Sequence, residues 1–176
     1  MSAETRNVLI AYFSRTGHTK VIAEQIEAST DGDLFEIVTI NPYPTDYEDC
    51  VDVAKVEYET NARPELATHV SNMDDYDVVF LGYPDWFGTM PKAVSSFLDE
   101  YDFSGKLIVP FCTSGGSGFG SSMHDIDTLC PGAIVMNGLS VFGADARQSG
   151  HIVSQWLERL GLTSGASHAG RSVRRR

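Results

Sequence analysis

The chain has 176 residues, 42% hydrophobic and 10% aromatic, with 13 basic against 24 acidic side chains and a formal charge of −11. That length suits one domain, expected over residues 1–163, and the recurrence of Val, Ile, Leu, Phe and Tyr in short blocks between glycines and prolines excludes a disordered chain. No apolar run approaches the roughly 18 residues of a membrane span, and residues 1–7 hold no basic stretch leading into an apolar one. A cytoplasmic protein without a membrane segment is therefore expected.

Four of the basic residues, Arg171, Arg174, Arg175 and Arg176, sit in the last six positions, and the remainder balances nine basic against 24 acidic side chains, or −15. An acidic body argues against nucleic-acid binding, which needs clustered Lys and Arg on the phosphate backbone. The tail could touch nucleic acid or a membrane surface, but residues 164–176, with their Gly and Ser, read more simply as a disordered chain end outside the fold. Cys50, Cys112 and Cys130 are odd in number and form no CxxC, so a metal site or disulfide framework is not expected; they read as small reduced hydrophobes.

In chain order, residues 8–13 form a first apolar strand, followed by a helix over 17–28 with Val21, Ile22 and Ile26 on one side. A second strand over 34–40 is interrupted by Glu36 and Thr39, as suits a sheet edge. The long connection from 40 to 77 is broken by Pro42, Pro44 and Pro64 and holds a weak amphipathic helix over 46–59. A third strand, 78–83, precedes a helix whose Val94, Phe97, Leu98 and Tyr101 fall at i, i+3, i+4 and i+7. A fourth strand, 107–112, leads to a helix over 119–130, a fifth strand over 133–136, and a last helix striped by Ile152, Val153, Trp156, Leu157 and Leu160. Uniformly apolar strands alternating with helices predict an α/β fold, a doubly wound five-stranded parallel sheet of order 2-1-3-4-5 in three α/β/α layers.

Ligands of such sheets bind beyond the carboxyl ends of the strands, where the strand order reverses. Three loops lie there. The first, Ser14, Arg15, Thr16, Gly17, His18 and Thr19, puts three hydroxyls around a glycine at a helix start, where free N–H groups and the helix dipole favour an anion such as phosphate. Alternatively Thr16 simply caps the helix. No GxxxxGK[ST] occurs, so it is not a nucleoside-triphosphate loop.

The second, Pro84, Asp85, Trp86, Phe87 and Gly88, continuing to Pro91, offers two rings to a flat ligand, Trp86 being the favoured contact, although one ring is expected to fill the core. The third, Thr113, Ser114, Gly115, Gly116, Ser117, Gly118 and Phe119, ending at Gly120, lets backbone approach a ligand closely.

Together these segments resemble the flavodoxins, over residues 7–162: Tyr12-Phe13-Ser14-Arg15-Thr16-Gly17, then Gly82-Tyr83-Pro84 with Trp86 and Gly88-Thr89-Met90-Pro91, then Gly115 to Ser122. The resemblance implies non-covalent FMN, its phosphate on the first loop and its ring against the second and third. It looks like the short form, since no long insertion separates the fifth strand from Val141. The third loop carries only Phe119 where many relatives have Tyr, which leaves one ring face open, and Asp85 would disfavour an anionic reduced ring.

The function this resemblance implies is that of an electron-transfer protein, steered by its acidic body toward basic faces of redox partners, or of an FMN-dependent NAD(P)H:quinone or related oxidoreductase. A phosphoacceptor receiver would need Asp where Pro84 ends the third strand, and an esterase would need GxSxG around Ser114, Ser117 or Ser121. His18, His69, His124 and His151 are scattered singles expected at the surface.

Overall fold

The computed structural model describes residues 6–163; the basic tail expected from 164 onward lies outside the described residues. Three strands, β1 (Val8–Tyr12), β3 (Val78–Pro84) and β4 (Leu107–Ser114), form the parallel centre of the sheet, buried almost along their whole length. β2 (Asp33–Glu36) pairs with β1 at the edge, and β5 (Ile134–Val135) lies beyond β4, giving the order β2-β1-β3-β4-β5. Polar, half-exposed β2 takes the position its sequence suggested.

Alternation along the strands divides the core in two. Leu9, Ala11, Phe13, Val79, Leu81, Tyr83, Ile108 and Cys112 meet α3 (Lys92–Glu100) and α4 (Ser122–Leu129) through Val94, Phe97, Leu98 and Ile126. Ile10, Tyr12, Val78, Phe80, Val109 and Phe111 meet α1 (His18–Thr30) and α5 (Gly150–Leu160) through Ile22, Ala23, Ile26, Val153, Trp156 and Leu157. Residues one apart in sequence thus serve opposite helix layers, which is why these strands are apolar until β4 reaches Thr113 and Ser114 at its carboxyl end. α2 (Tyr47–Thr60) buries only Cys50 and Ala54 and is capped at its start by the Asp46 carboxylate, which accepts from Asp49 N at 3.0 Å.

Three elements depart from expectation. The fifth strand is split: β5 pairs with the start of β4, and a further strand, β6 (Leu139–Phe142), pairs with its end. Leu107 faces Ile134 while Phe111 faces Leu139, so four steps along β4 meet five along its partner, the signature of a bulge. Pro110, without an N–H for the ladder, lies opposite the break, and a Cβ at Gly138 would stand 2.7 Å from the Pro110 carbonyl and 2.5 Å from Phe119 Cζ.

The second strand ends early because residues 38–40 change partner, with Thr39 bridging Leu66 in antiparallel fashion and Ile40 N donating to Glu65 O at 2.9 Å. α4 begins at Ser122 rather than 119, since Gly118 and Gly120 have φ of +67° and +54°, which a helix cannot contain. Among the described residues no helix is long and apolar enough to cross a membrane.

Candidate functional site

The three loops do converge beyond the carboxyl ends of β1, β3 and β4, and Thr113 joins them. Its hydroxyl shares a 2.8 Å hydrogen bond with that of Thr19, and its carbonyl accepts from Asp85 N at 2.9 Å.

In the first loop the capping hydroxyl belongs to Ser14, whose Oγ accepts from Gly17 N at 3.1 Å and Lys20 N at 3.2 Å. Thr16, for which capping was the alternative role, is exposed. Thr19 is 1% exposed, its hydroxyl committed to Thr113. His18 is exposed, as are His69, His124 and His151, and its ring lies against Gly143. Arg15 turns away toward the connection before α2: its Nη2 donates to Thr45 O at 2.8 Å, the guanidinium lies 5.9 Å from the centre of the Tyr47 ring, and its buried Nε has no partner among the described residues. What remains at the mouth of α1 is the Thr16 hydroxyl and the unpaired first-turn N–H groups, with open space in front of Gly17.

Residues 86–89 of the second loop form a two-hydrogen-bond turn, Trp86 N to Thr89 O at 2.8 Å and Thr89 N to Trp86 O at 3.2 Å. Phe87 (φ +57°) and Gly88 (φ +77°) occupy its tip, the left-handed pair of a type I′ turn, unusual for an aromatic. Phe87 is 44% exposed and stacks on Tyr58 of α2, rings 5.6 Å apart and 25° from parallel. Trp86 is half-buried. Phe13 and Tyr43 meet it edge-on at 5.3 and 5.2 Å, and Tyr43 is fixed in turn by donating its hydroxyl to Glu57 at 2.6 Å. Pro84 ends β3 below this turn.

The third loop folds around Ser114, whose Oγ accepts from Gly116 N at 3.2 Å and Gly118 N at 3.1 Å, leaving Gly115, Gly116 and Ser117 exposed. Ser117 Oγ donates to Asp85 Oδ2; the other carboxylate oxygen, Oδ1, is buried without a partner among the described residues. Asp85 is therefore not pointing to solvent. Phe119 turns onto Gly138 at the strand break and not into the cleft.

The Cys112 thiol lies 3.5 Å from Gly118 O, and burial, reinforced by the Asp85 charge, pushes its pKa to about 12. Burial likewise raises Cys130 to about 12 and also raises Cys50, so the three free cysteines are poor nucleophiles.

Phe142 carries no signal in the sequence that would mark it for the site. It ends β6, is 56% exposed, and lies 3.4 Å from where a Gly116 Cβ would stand, at the rim of the third loop. Only the unforeseen split of the fifth strand brings it there.

A hydroxyl-lined helix start, a rigid turn carrying rings and a glycine loop meet at the switch point of a 2-1-3-4-5 sheet, where proteins of the doubly wound class bind their ligands. The flavodoxin family model matches residues 7–160, and the chain belongs to that family. Among solved structures, a protein from Bacteroides eggerthii assigned to the flavoproteins is 31% identical, covering 90% of this chain and 99% of that one at a TM-score of 0.79. A flavoprotein from Lactobacillus acidophilus, solved in complex with FMN, is 24% identical, covering 81% and 97% at a TM-score of 0.67. An NAD(P)H dehydrogenase (quinone) from Paracoccus denitrificans is 29% identical over 94 residues, which span 53% of this chain and 44% of that protein.

Proposed function

We propose that the chain binds FMN in this cleft and works as an electron-transfer protein between redox partners. The observation that carries the reading is the cleft's unspent chemistry: free N–H groups and the Thr16 hydroxyl at the start of α1, open space at Gly17, Gly88 and Gly115, and the orphaned Asp85 Oδ1. These residues fit FMN. The α1 mouth would hold the phosphate; Trp86, Gly88 and residues 114–117 would border the ring, with Asp85 Oδ1 accepting from a ring N–H. Bound FMN supplies the redox chemistry, and the protein sets its potential. That the Lactobacillus acidophilus flavoprotein was solved with FMN supports the same cofactor. A net charge of −11 favours partners with basic faces, and their association should slow as salt rises.

A second reading, an FMN-dependent NAD(P)H:quinone oxidoreductase, is favoured by the Paracoccus relative's activity. Mass spectrometry of cofactor extracted from the purified protein tests the common part. Turnover of NAD(P)H and quinone without a partner reductase separates the two: rapid turnover supports the oxidoreductase, and its absence supports the shuttle.

Trp86 borders the proposed ring site, while Trp156 is buried on α5 with Nε1 donating to Asn137 O at 3.1 Å. Fluorescence quenching on FMN addition should vanish in Trp86→Phe and survive in Trp156→Phe, and Trp86→Ala should cost about 1–3 kcal/mol of affinity, the range for stacking a base on an aromatic. Quenching that disappears with Trp156 instead rejects Trp86 as the ring contact.

Asp85 adds a charge at the ring. Asp85→Asn should make the final one-electron step of FMN reduction easier by about 1 kcal/mol, the order for one partly solvated charge pair, and salt should shrink the difference. An unchanged or more negative potential in spectroelectrochemical titration would rule this out.

A further inference from the structure

Asp125 lies in the first turn of α4, outside all three loops, yet ties two of them together. Its Oδ2 accepts from Thr89 Oγ1 at 2.5 Å and from Ser121 Oγ at 3.1 Å. Thr89 closes the turn of the second loop and is buried; Ser121 closes the third loop. Ser121 N donates to Gly88 O at 2.7 Å, and its hydroxyl also lies 3.3 Å from that carbonyl. A single hydroxyl proton cannot serve both acceptors fully, and the nearer, charged carboxylate takes it. The Gly88 carbonyl is thus held by the Ser121 N–H while both flanking hydroxyls are anchored on one carboxylate.

The opposite end of the cleft is closed by the more exposed Ser117–Asp85 contact. Asp125 secures the other end, where Thr89 is buried and Gly120 packs directly on Gly88.

We infer that Asp125 is a positioning residue that locks the second loop to the third, so that the cleft for the FMN ring keeps a fixed width before the ligand enters. A site held in shape before binding loses less entropy when it is filled. The inference rests on the FMN reading for its consequence in binding, but the lock itself is a property of the chain.

The test uses the full chain in four forms: wild type, Asp125→Ala, Asp125→Asn and Thr89→Val, the last nearly isosteric. Amide hydrogen exchange without cofactor reads the lock directly. Exchange at Trp86, Thr89 and Ser121 should accelerate about tenfold in Asp125→Ala and Thr89→Val, with β1, β3 and β4 unchanged. Asp125→Asn, whose side-chain oxygen still accepts, should stay near wild type. In binding, Asp125→Ala should weaken FMN and riboflavin by the same factor, about tenfold, because the damage is to the ring cleft and not to the phosphate loop. Combining Asp125→Ala with Thr89→Val should add little to either alone.

Unchanged exchange in both loops, acceleration confined to α4, failure of Asn to rescue, or additive losses would each overturn the lock. Should wild type bind neither FMN nor riboflavin, the cofactor reading fails while the exchange result still decides the role of Asp125. If Asp125→Ala does not fold, Thr89→Val and Asp125→Asn carry the same decision.

Discussion

Replacing Gly120 by alanine is expected to cost about 2–4 kcal/mol, divided between folding stability and FMN affinity. Two terms combine. At φ +54° an L side chain is strained by about 1 kcal/mol or more. The added Cβ would also stand 2.0 Å from Gly88 O and 2.6 Å from Gly88 C, which are backbone atoms that no rotamer change can remove. Relief requires the second and third loops to part, and the hydrogen bond from Ser121 N to Gly88 O, now 2.7 Å, is lost with them at about 1 kcal/mol.

Because both loops lie at the surface end of the sheet, part of this cost can be escaped by loosening them locally. That part should reappear as weaker FMN binding. Gly115→Ala is the control: it has no positive φ and nothing within 4 Å of its Cβ position, so its stability should change by less than about 0.5 kcal/mol. Thermal unfolding of both variants without cofactor, and FMN titration of Gly120→Ala against wild type, decide the matter. Equal behaviour of the two would mean that the loops do not touch as described.

The legible parts of this fold are those where one local signal suffices. β1, β3 and β4 are sandwiched between helix layers, so their positions are apolar up to the carboxyl end of β4 and their runs stand out; α3 and α5 each bury one stripe, which the 3.6 period reveals. Order 2-1-3-4-5 followed from the polarity of β2 at the edge.

The features hidden in the sequence depend on partners distant along the chain. Residues 38–40 have the composition of a strand, but their backbone hydrogen bonds go to residues 65–68. The fifth strand splits through the meeting of Pro110, Gly138 and Phe119, drawn from three elements. Helix capping passed to Ser14 because Gly17, at φ +95°, bends the loop back over that hydroxyl. Trp86 gained ring neighbours because Tyr43 arrives from the long connection, whose path no periodicity describes. Asp125 reads as an ordinary helix-surface acid until Thr89 and Ser121 are seen converging on it.

Riboflavin is expected to bind at least a hundredfold more weakly than FMN, since the phosphate would take two or more charge-assisted hydrogen bonds of about 1.5–3 kcal/mol each. Of the three hydroxyls in the first loop only that of Thr16 is uncommitted, because Ser14 caps α1 and Thr19 is bonded to Thr113. Thr16→Ala should therefore weaken FMN by about 1.5–3 kcal/mol and leave riboflavin nearly unchanged. Thr19→Val should act differently: it strands the buried Thr113 hydroxyl, costs about 1–3 kcal/mol of stability, and weakens both ligands together.

Salt separates dipole from charge recognition. Arg15, the formal cation within this loop, is turned toward Thr45 and Tyr47, so the phosphate would be held by N–H groups and a hydroxyl within a chain of net charge −11. Screening should then relieve the long-range repulsion of the dianion, and FMN should associate faster as salt rises while riboflavin does not respond. Faster association of FMN at low salt would place the phosphate on a cation and away from the mouth of α1, and equal affinity for the two ligands would mean that the chain holds no phosphate there.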